Sequence, residues 1–296
     1  MKKIKKETLM MRWVSLASLL VAFTLIVLKG IAFLWTGSVA ILSGLFDSVQ
    51  DLMTSGVNMI AVHQATAPAD KEHRFGHGKA QAVGSLIQAF IIAAAAFFLM
   101  IEAVDRYNNP KNLDRIEAGI WVTVVALILT IALVKAQSYV IKKTGSLSIK
   151  ADQAHYNGDI LMNIGILISM AGTYYFNYTQ LDALFGIGVS LYLCIVVYQV
   201  IKESIKMLMD SEMSEDFREQ IREIAHSFPA VIKVHDLKTR QSGSNVFVQF
   251  CVHLDETMTL RQAHDISDMI EDRIKEKFPD TEIIIHQEPE RIKNDI

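Results

Sequence analysis

Six stretches of this chain, near residues 12–35, 39–63, 80–105, 117–141, 151–177 and 181–208, each supply roughly 20 mostly apolar residues, enough to cross about 30 Å of hydrocarbon as a helix. Backbone polar groups inside a bilayer must pair within their own segment, so such runs fold as helices or do not span at all. An average of 51% hydrophobic residues over 296 positions, with mean hydropathy +0.27, agrees with a membrane protein. The first run follows Lys2, Lys3, Lys5 and Lys6 as a signal peptide would. It is too long for a signal h-region and has no small-residue cleavage site, so it reads as a retained span.

Six spans put both termini on one side. Basic residues crowd the N-terminus (Lys2, Lys3, Lys5, Lys6, Arg12), the second connection (Lys71, Arg74, Lys79) and the fourth (Lys142, Lys143, Lys150). The first and fifth connections, 36–38 and 176–180, carry none, and the third mixes Arg106, Lys111 and Arg115 with Asp105 and Asp114. The positive-inside rule therefore places both termini in the cytoplasm. The formal net charge of −3 gives no sign of a nucleic-acid partner.

After Asp210 the composition turns polar. Residues 214–228 read as an amphipathic helix with Ser214 as N-cap. Residues 231–240 and 246–254 read as a hairpin around Gln-Ser-Gly-Ser. A second helix over 259–277 and a short strand over 282–286 complete an αββαβ order, a small two-layer α+β domain. The expected divisions are a cytoplasmic tail (1–11), a six-span α-helical membrane domain (12–208), a cytoplasmic α+β domain (209–289) and a flexible tail (290–296). Cys194 and Cys251 stand far apart in dissimilar regions, which favours free thiols or one metal ligand over a disulfide. Cys194 reads as a small apolar core residue. Lys29 reads as a snorkelling cation near the outer end of the first span.

The second and fifth spans are the least apolar, and each carries metal-capable side chains four residues apart: Asp47 with Asp51, and His155 with Asp159. Residues at i and i+4 share a helix face. Longer polar stripes run with them, through Ser43, Ser55 and Asn58 on one span and through Asp152 and Asn163 on the other. A carboxylate at the bilayer centre costs at least about 2.5–3.5 kcal/mol, so these groups face a bundle interior, water or a cation. Three carboxylates and one imidazole make a tetrahedral set suited to a divalent ion. The alternative is a satisfied polar contact between helices. Ligating imidazole and carboxylate must be deprotonated, so protons and metal compete, and an imidazole with a reference pKa of about 6.5 suits that competition.

Asp70, His73 and His77 lie on the second connection at spacings that let them converge on one ion, with Gly76 and Gly78 allowing unusual backbone angles. The alternative is a solvated basic loop that sets topology.

The Asp-xxx-Asp and His-xxx-Asp pairs, together with Ala69-Asp-Lys-Glu-His-Arg-Phe-Gly-His-Gly-Lys79, Asp236-Leu-Lys-Thr-Arg-Gln-Ser-Gly243 and Ile284-Ile-His-Gln287, resemble the cation diffusion facilitator family over nearly the whole chain. The resemblance is to its bacterial zinc and ferrous-iron efflux pumps. It implies that Asp47, Asp51, His155 and Asp159 bind the transported ion, and that Asp70, His73 and His77 form a second zinc site. It implies a homodimer in the bacterial inner membrane, with zinc, ferrous iron or cadmium exchanged for protons by alternating access. It also implies a binuclear zinc site, structural or regulatory, at the C-terminal dimer contact on His235, Cys251, His264, His286 and Glu288. Lys79 and Asp210 match charged positions that interlock near the membrane surface. The family pattern has His where this chain has Cys251 and Asp where it has Glu288. Thiolate is a good zinc ligand at about 2.3 Å, and Glu is one methylene longer. His253 shares a strand face with Cys251 but sits about 6–7 Å along it, and so ranks below Cys251 as a ligand. Asp236 would stand behind His235.

Other classes remain as alternatives: a passive divalent-metal channel, against which fully ligating buried carboxylates argue, since fast conduction needs weak binding; or a membrane-tethered metal sensor, against which the intact four-residue set argues. No nucleotide-binding loop or hydrolase motif is present, and an enzyme is not expected.

Overall fold

The computed structural model describes residues 2–36, 39–109, 116–176 and 181–291. The connections at 37–38, 110–115 and 177–180, and with them Lys111, Asp114 and Arg115, lie outside the described residues, as do the side chain of Ser43 and residues 292–296. The chain forms two compact units, Met1–Ile205 and Lys206–Ile296.

The first unit is built of α1 (Lys2–Thr36), α2 (Val39–Ala65), α3 (Ala80–Asn108), α4 (Ile116–Thr144), α5 (Leu147–Phe176) and α6 (Leu181–Leu208), helices of 27 to 35 residues. The basic segment expected as an N-terminal tail continues α1 from Lys2. Stretches of α1, α3, α4 and α6 are long and apolar enough to cross a membrane. The two remaining helices, α2 and α5, carry the polar stripes, which lowers their mean hydropathy without shortening them. Large apolar side chains such as Phe90, Phe97 and Ile128 point outward, the surface a bilayer covers.

Inside the bundle, polar contacts do what apolar packing does in a soluble core, since lipid offers helices no hydrophobic reason to associate. Asp152 of α5, fully buried, accepts hydrogen bonds from Ser55 Oγ (3.2 Å) and Asn58 Nδ2 (3.1 Å) of α2 and from Gln137 Nε2 (2.8 Å) of α4. Gln137 Nε2 also donates to Ser18 Oγ of α1 at 3.1 Å, so four helices meet at one carboxylate. Small residues bring α2 and α3 together: a Cβ added to Gly84 would lie 2.3 Å from that of Ala61. Lys29 Nζ donates to the Gly44 carbonyl at 2.8 Å, tying α1 to α2. Cys194, expected in the core, is exposed on α6.

The second unit contains α7 (Glu215–His226), β1 (Lys233–Ser242), β2 (Asn245–Asp255), α8 (Leu260–Lys277) and β3 (Thr281–Glu290). Ser214 caps α7 by accepting from the Phe217 amide, and Thr259 with Gln262 forms a capping box on α8. The sheet order is β1-β2-β3, with β1 and β2 antiparallel and β2 and β3 parallel. Gly243, at φ +64°, makes the two-residue hairpin turn. Phe250, Val252 and Leu254 of β2 alternate inward against Ile221 and Ala225 of α7 and Ile270 and Ile274 of α8. Full burial of each such large side chain contributes about 1.5–3 kcal/mol. The alternation turns Cys251 and His253 to the opposite, polar face. The third strand is twice as long as the expected 282–286 and carries Pro289 on an edge, where a missing amide is tolerated.

Candidate metal centres

The intramembrane cluster draws on two helices. Helical spacing stacks His155 and Asp159 on α5, and Asp51 of α2 meets them. His155 Nε2 is 2.8 Å from Asp51 Oδ1 and 3.8 Å from Asp159 Oδ2, and one ligand atom from each of the three lies within 4.8 Å of the others. Asp51 and His155 are each 5% exposed. Asp159 Oδ2 is buried with no hydrogen-bond partner, an acceptor directed into the cluster. Ligands about 2.0–2.1 Å from a tetrahedral zinc ion stand about 3.3 Å apart, between the two distances seen.

Asp47 is one turn earlier on α2 and exposed, and it does not join this close group. Of the other polar residues in the two stripes, Asp152 is saturated by donors as described. The Ser55 hydroxyl lies 2.9 Å from the Tyr156 hydroxyl, and Asn163 Nδ2 donates to the Asp159 backbone carbonyl at 2.8 Å. Gln137 and Tyr156 belong to this polar core without having been singled out in sequence. The available signal was their polarity within apolar runs.

Between α2 and α3, Asp70 folds the connection around itself. Its Oδ1 accepts from the amides of His73 (2.6 Å) and Glu72 (2.9 Å), and these bonds, that from His73 first, hold the Asp70 carboxyl below the usual range. Asp70 Oδ1 is 3.3 Å from His73 Nδ1, and Oδ2 is 3.2 Å from His77 Nε2. The two imidazoles lie 4.5 Å apart between centroids. Gly76 takes φ +78°, and Gly78 is not among the described residues with positive φ.

The C-terminal cluster lies on the polar face of the sheet. Register pairs His235 with Cys251 and sets His253 beside Glu288. Donor atoms of His235, Cys251 and Glu288 lie within 4.8 Å of one another. Loss of hydration, then the Glu288 carboxylate, pushes the Cys251 thiol up. His264 and His286 stand apart: their side chains are 66% and 67% exposed, His264 near Asp268 at 3.5 Å and His286 3.9 Å from Glu288. His253, ranked below Cys251 in sequence, is not one of these three, and its Nε2 lies 3.2 Å from Glu288 Oε2. Asp236 takes φ +53° at the bulge between His235 and Lys238, and its carboxylate pairs with Lys238 at 2.8 Å. Asp210 meets Arg240 at 3.5 Å, and Lys79 is the N-cap residue of α3.

A bundle of long apolar helices with a buried carboxylate–imidazole–carboxylate set, joined to an α+β domain with N, S and O donors, defines an integral membrane transporter of metal cations. Residues 15–209 match the cation efflux transmembrane domain, and residues 213–290 match the cation efflux protein cytoplasmic domain. The cation-efflux pump FieF of Shewanella oneidensis is 38% identical over 284 residues, 95% of this chain and 96% of that protein. The FieF of Salmonella choleraesuis is 38% identical over 275 residues, 93% and 91% of the two chains. Among solved structures, the metal-bound C-terminal domain of the CzcD transporter from Thermotoga maritima is 25% identical, covers 28% of this chain and 100% of its own, and has a TM-score of 0.25. The chain belongs to the cation diffusion facilitator family of divalent-metal efflux transporters, and not to a class of enzymes.

Proposed function

We propose that this protein exports zinc, with ferrous iron or cadmium as further cargo, from the cytoplasm in exchange for protons. The observation that carries the reading is the buried Asp51–His155–Asp159 group, which offers mixed N and O donors to a borderline cation where an empty charge cluster is costly. Each of these ligands binds metal only when deprotonated, so a proton entering from one side expels the ion there and its departure on the other restores affinity. Asp47, one turn away on the same face, joins when α2 shifts against α5, completing the tetrahedron. Alternation between faces is then a change in helix packing, a small displacement between two packed arrangements.

In this reading residues 12–208 form the membrane domain of an inner-membrane homodimer, with residues 209–289 and both termini in the cytoplasm. The match of residues 213–290 to the cytoplasmic dimer domain supports the pairing. Asp70, His73 and His77 hold a second zinc ion at the membrane surface. The N, S and O donors of the C-terminal cluster suit a resident zinc ion there. Lys79 and Asp210 are the charges that join neighbouring parts of the dimer at the membrane surface.

Zinc flux into proteoliposomes under an imposed pH gradient tests the reading. Flux that follows the gradient and disappears in Asp51→Ala is expected. Electrogenic flux indifferent to the gradient would replace the antiporter with a channel, and tight binding without flux would leave a sensor.

A further inference from the structure

A second imidazole, that of His253, reaches the Glu288 carboxylate beside the three donors of the C-terminal cluster. Glu288 Oε2 stands 3.3 Å from His235 Nε2 and 3.2 Å from His253 Nε2. Both separations equal the edge of a tetrahedron whose ligands lie about 2.0–2.1 Å from a zinc ion. The two imidazoles are tilted by 56° with centroids 4.8 Å apart, so each presents Nε2 to the same carboxylate oxygen. Cys251, across the ladder from His235, adds sulfur within 4.8 Å of His235 and Glu288.

Behind His253 is a second carboxylate. His253 Nδ1 and Glu290 Oε2 are 2.8 Å apart, an ion-pair contact, and both are buried atoms that make no hydrogen bond. A carboxylate at the far nitrogen of an imidazole selects the tautomer whose other nitrogen has a free lone pair, and it raises the basicity of that lone pair. The parallel register supplies this arrangement: Glu288 lies beside His253, and Glu290, two residues on, faces the same side. His253 is also the most enclosed of the cluster's imidazoles, its side chain 18% exposed against 36% for His235.

We propose that His253 is a metal ligand of this domain, completing a four-donor site with His235, Cys251 and Glu288 inside one protomer, and that Glu290 is its positioning residue. The inference rests on the metal-binding reading of the C-terminal cluster given above. The family resemblance instead implies a binuclear site at the dimer contact that includes His264 and His286. His264 and His286, exposed on α8 and β3, are not needed for it.

The test uses the full-length protein in detergent, carrying Asp51→Ala and Asp159→Ala to silence the intramembrane cluster, titrated with cobalt(II) and then competed with zinc. A tetrahedral N/O/S site gives intense visible d–d absorption and a thiolate-to-cobalt charge-transfer band. His253→Ala is expected to weaken this site by about 100-fold or more and to change the d–d envelope while the thiolate band persists at saturating metal. Glu290→Gln, which preserves shape, is expected to weaken it by about 10-fold with the site count unchanged, the cost of losing an outer carboxylate. His253→Gln keeps the side-chain volume and guards against a folding artefact, and it should behave as His253→Ala does. Unchanged affinity and spectrum in both His253 variants, with the site lost in His235→Ala, overturns the proposal and leaves the metal centre standing. An unchanged titration in His235→Ala and Glu288→Ala as well overturns the proposal together with the reading beneath it.

Discussion

The intramembrane and C-terminal clusters use similar donors on different frames. Asp51, His155 and Asp159 sit on two helices whose backbone hydrogen bonds are each internal to one helix. Sliding or rotating α2 against α5 separates the ligands without breaking a backbone bond. His235, Cys251, His253 and Glu288 sit on neighbouring strands, and separating them means breaking the ladder that joins β1, β2 and β3. The helical frame suits an ion that must leave, and the sheet suits one that stays. Exposure follows the same division: Asp51 and His155 are sealed from water, whereas the C-terminal donors are half-buried.

The comparison is broken most directly by removing one ligand from each frame. Asp51→Ala or His155→Ala should reduce gradient-driven zinc flux in proteoliposomes by at least about 100-fold, the loss of roughly 2.7 kcal/mol of differential binding. His235→Ala should leave flux within a few-fold of the parent. Equal loss in both would show that the sheet site belongs to the transport path.

Asp152 tests what holds the helical frame. Asp152→Ala orphans the donors of Ser55, Asn58 and Gln137, at about 1–3 kcal/mol for each group left unsatisfied. Thermal unfolding in detergent should show a large fall in midpoint, while Asp152→Asn, which still accepts, should lose much less. An Asp152→Ala protein with parental stability would remove the polar core from the account of how the helices associate.

Acid should distinguish the C-terminal site by its thiol. The Cys251 pKa is raised, so at neutral pH binding must expel a proton from sulfur, and affinity falls as pH drops. Cys251→Asp replaces the thiol with a group already ionised there. Calorimetric zinc titrations between about pH 6 and 8 should show a shallower pH slope in the variant, by up to one proton per ion.

The smallest effect belongs to the surface. Lys150 of α5 and Glu203 of α6 pair at 2.6 Å but are nearly half exposed, so Lys150→Ala should change stability by less than about 1 kcal/mol. A larger fall in the same melts would mean that the pair is enclosed in the assembled protein.

Much of this was legible along the chain, because the signals are local. Hydrophobic length gives a spanning helix, a four-residue spacing gives one helix face, and alternation with a Gly-containing turn gives a hairpin. The polarity of α2 and α5 marked them as the site-bearing helices before any packing was known. What was not legible depends on other segments. The partner of Lys29, the Gly44 carbonyl, is a backbone group with no sequence signature. Cys194 was placed in the core because helical periodicity does not say which face meets lipid.

By itself, then, the sequence determined the six helices, the αββαβ order and the two four-residue pairs, all set by periodicity within one element. Tertiary structure decided membership. It gathered Asp51, His155 and Asp159 while leaving Asp47 exposed. It turned Asp152 from a member of a polar stripe into a buried acceptor for two other helices. It set His253 beside Glu288 and Glu290 beside His253, and left His264 and His286 exposed. The reason is physical: a ligand set is defined by distances of a few ångströms between atoms far apart in sequence. Those distances depend on helix rotation and on the parallel register of β2 with β3, which residues on one element alone do not encode.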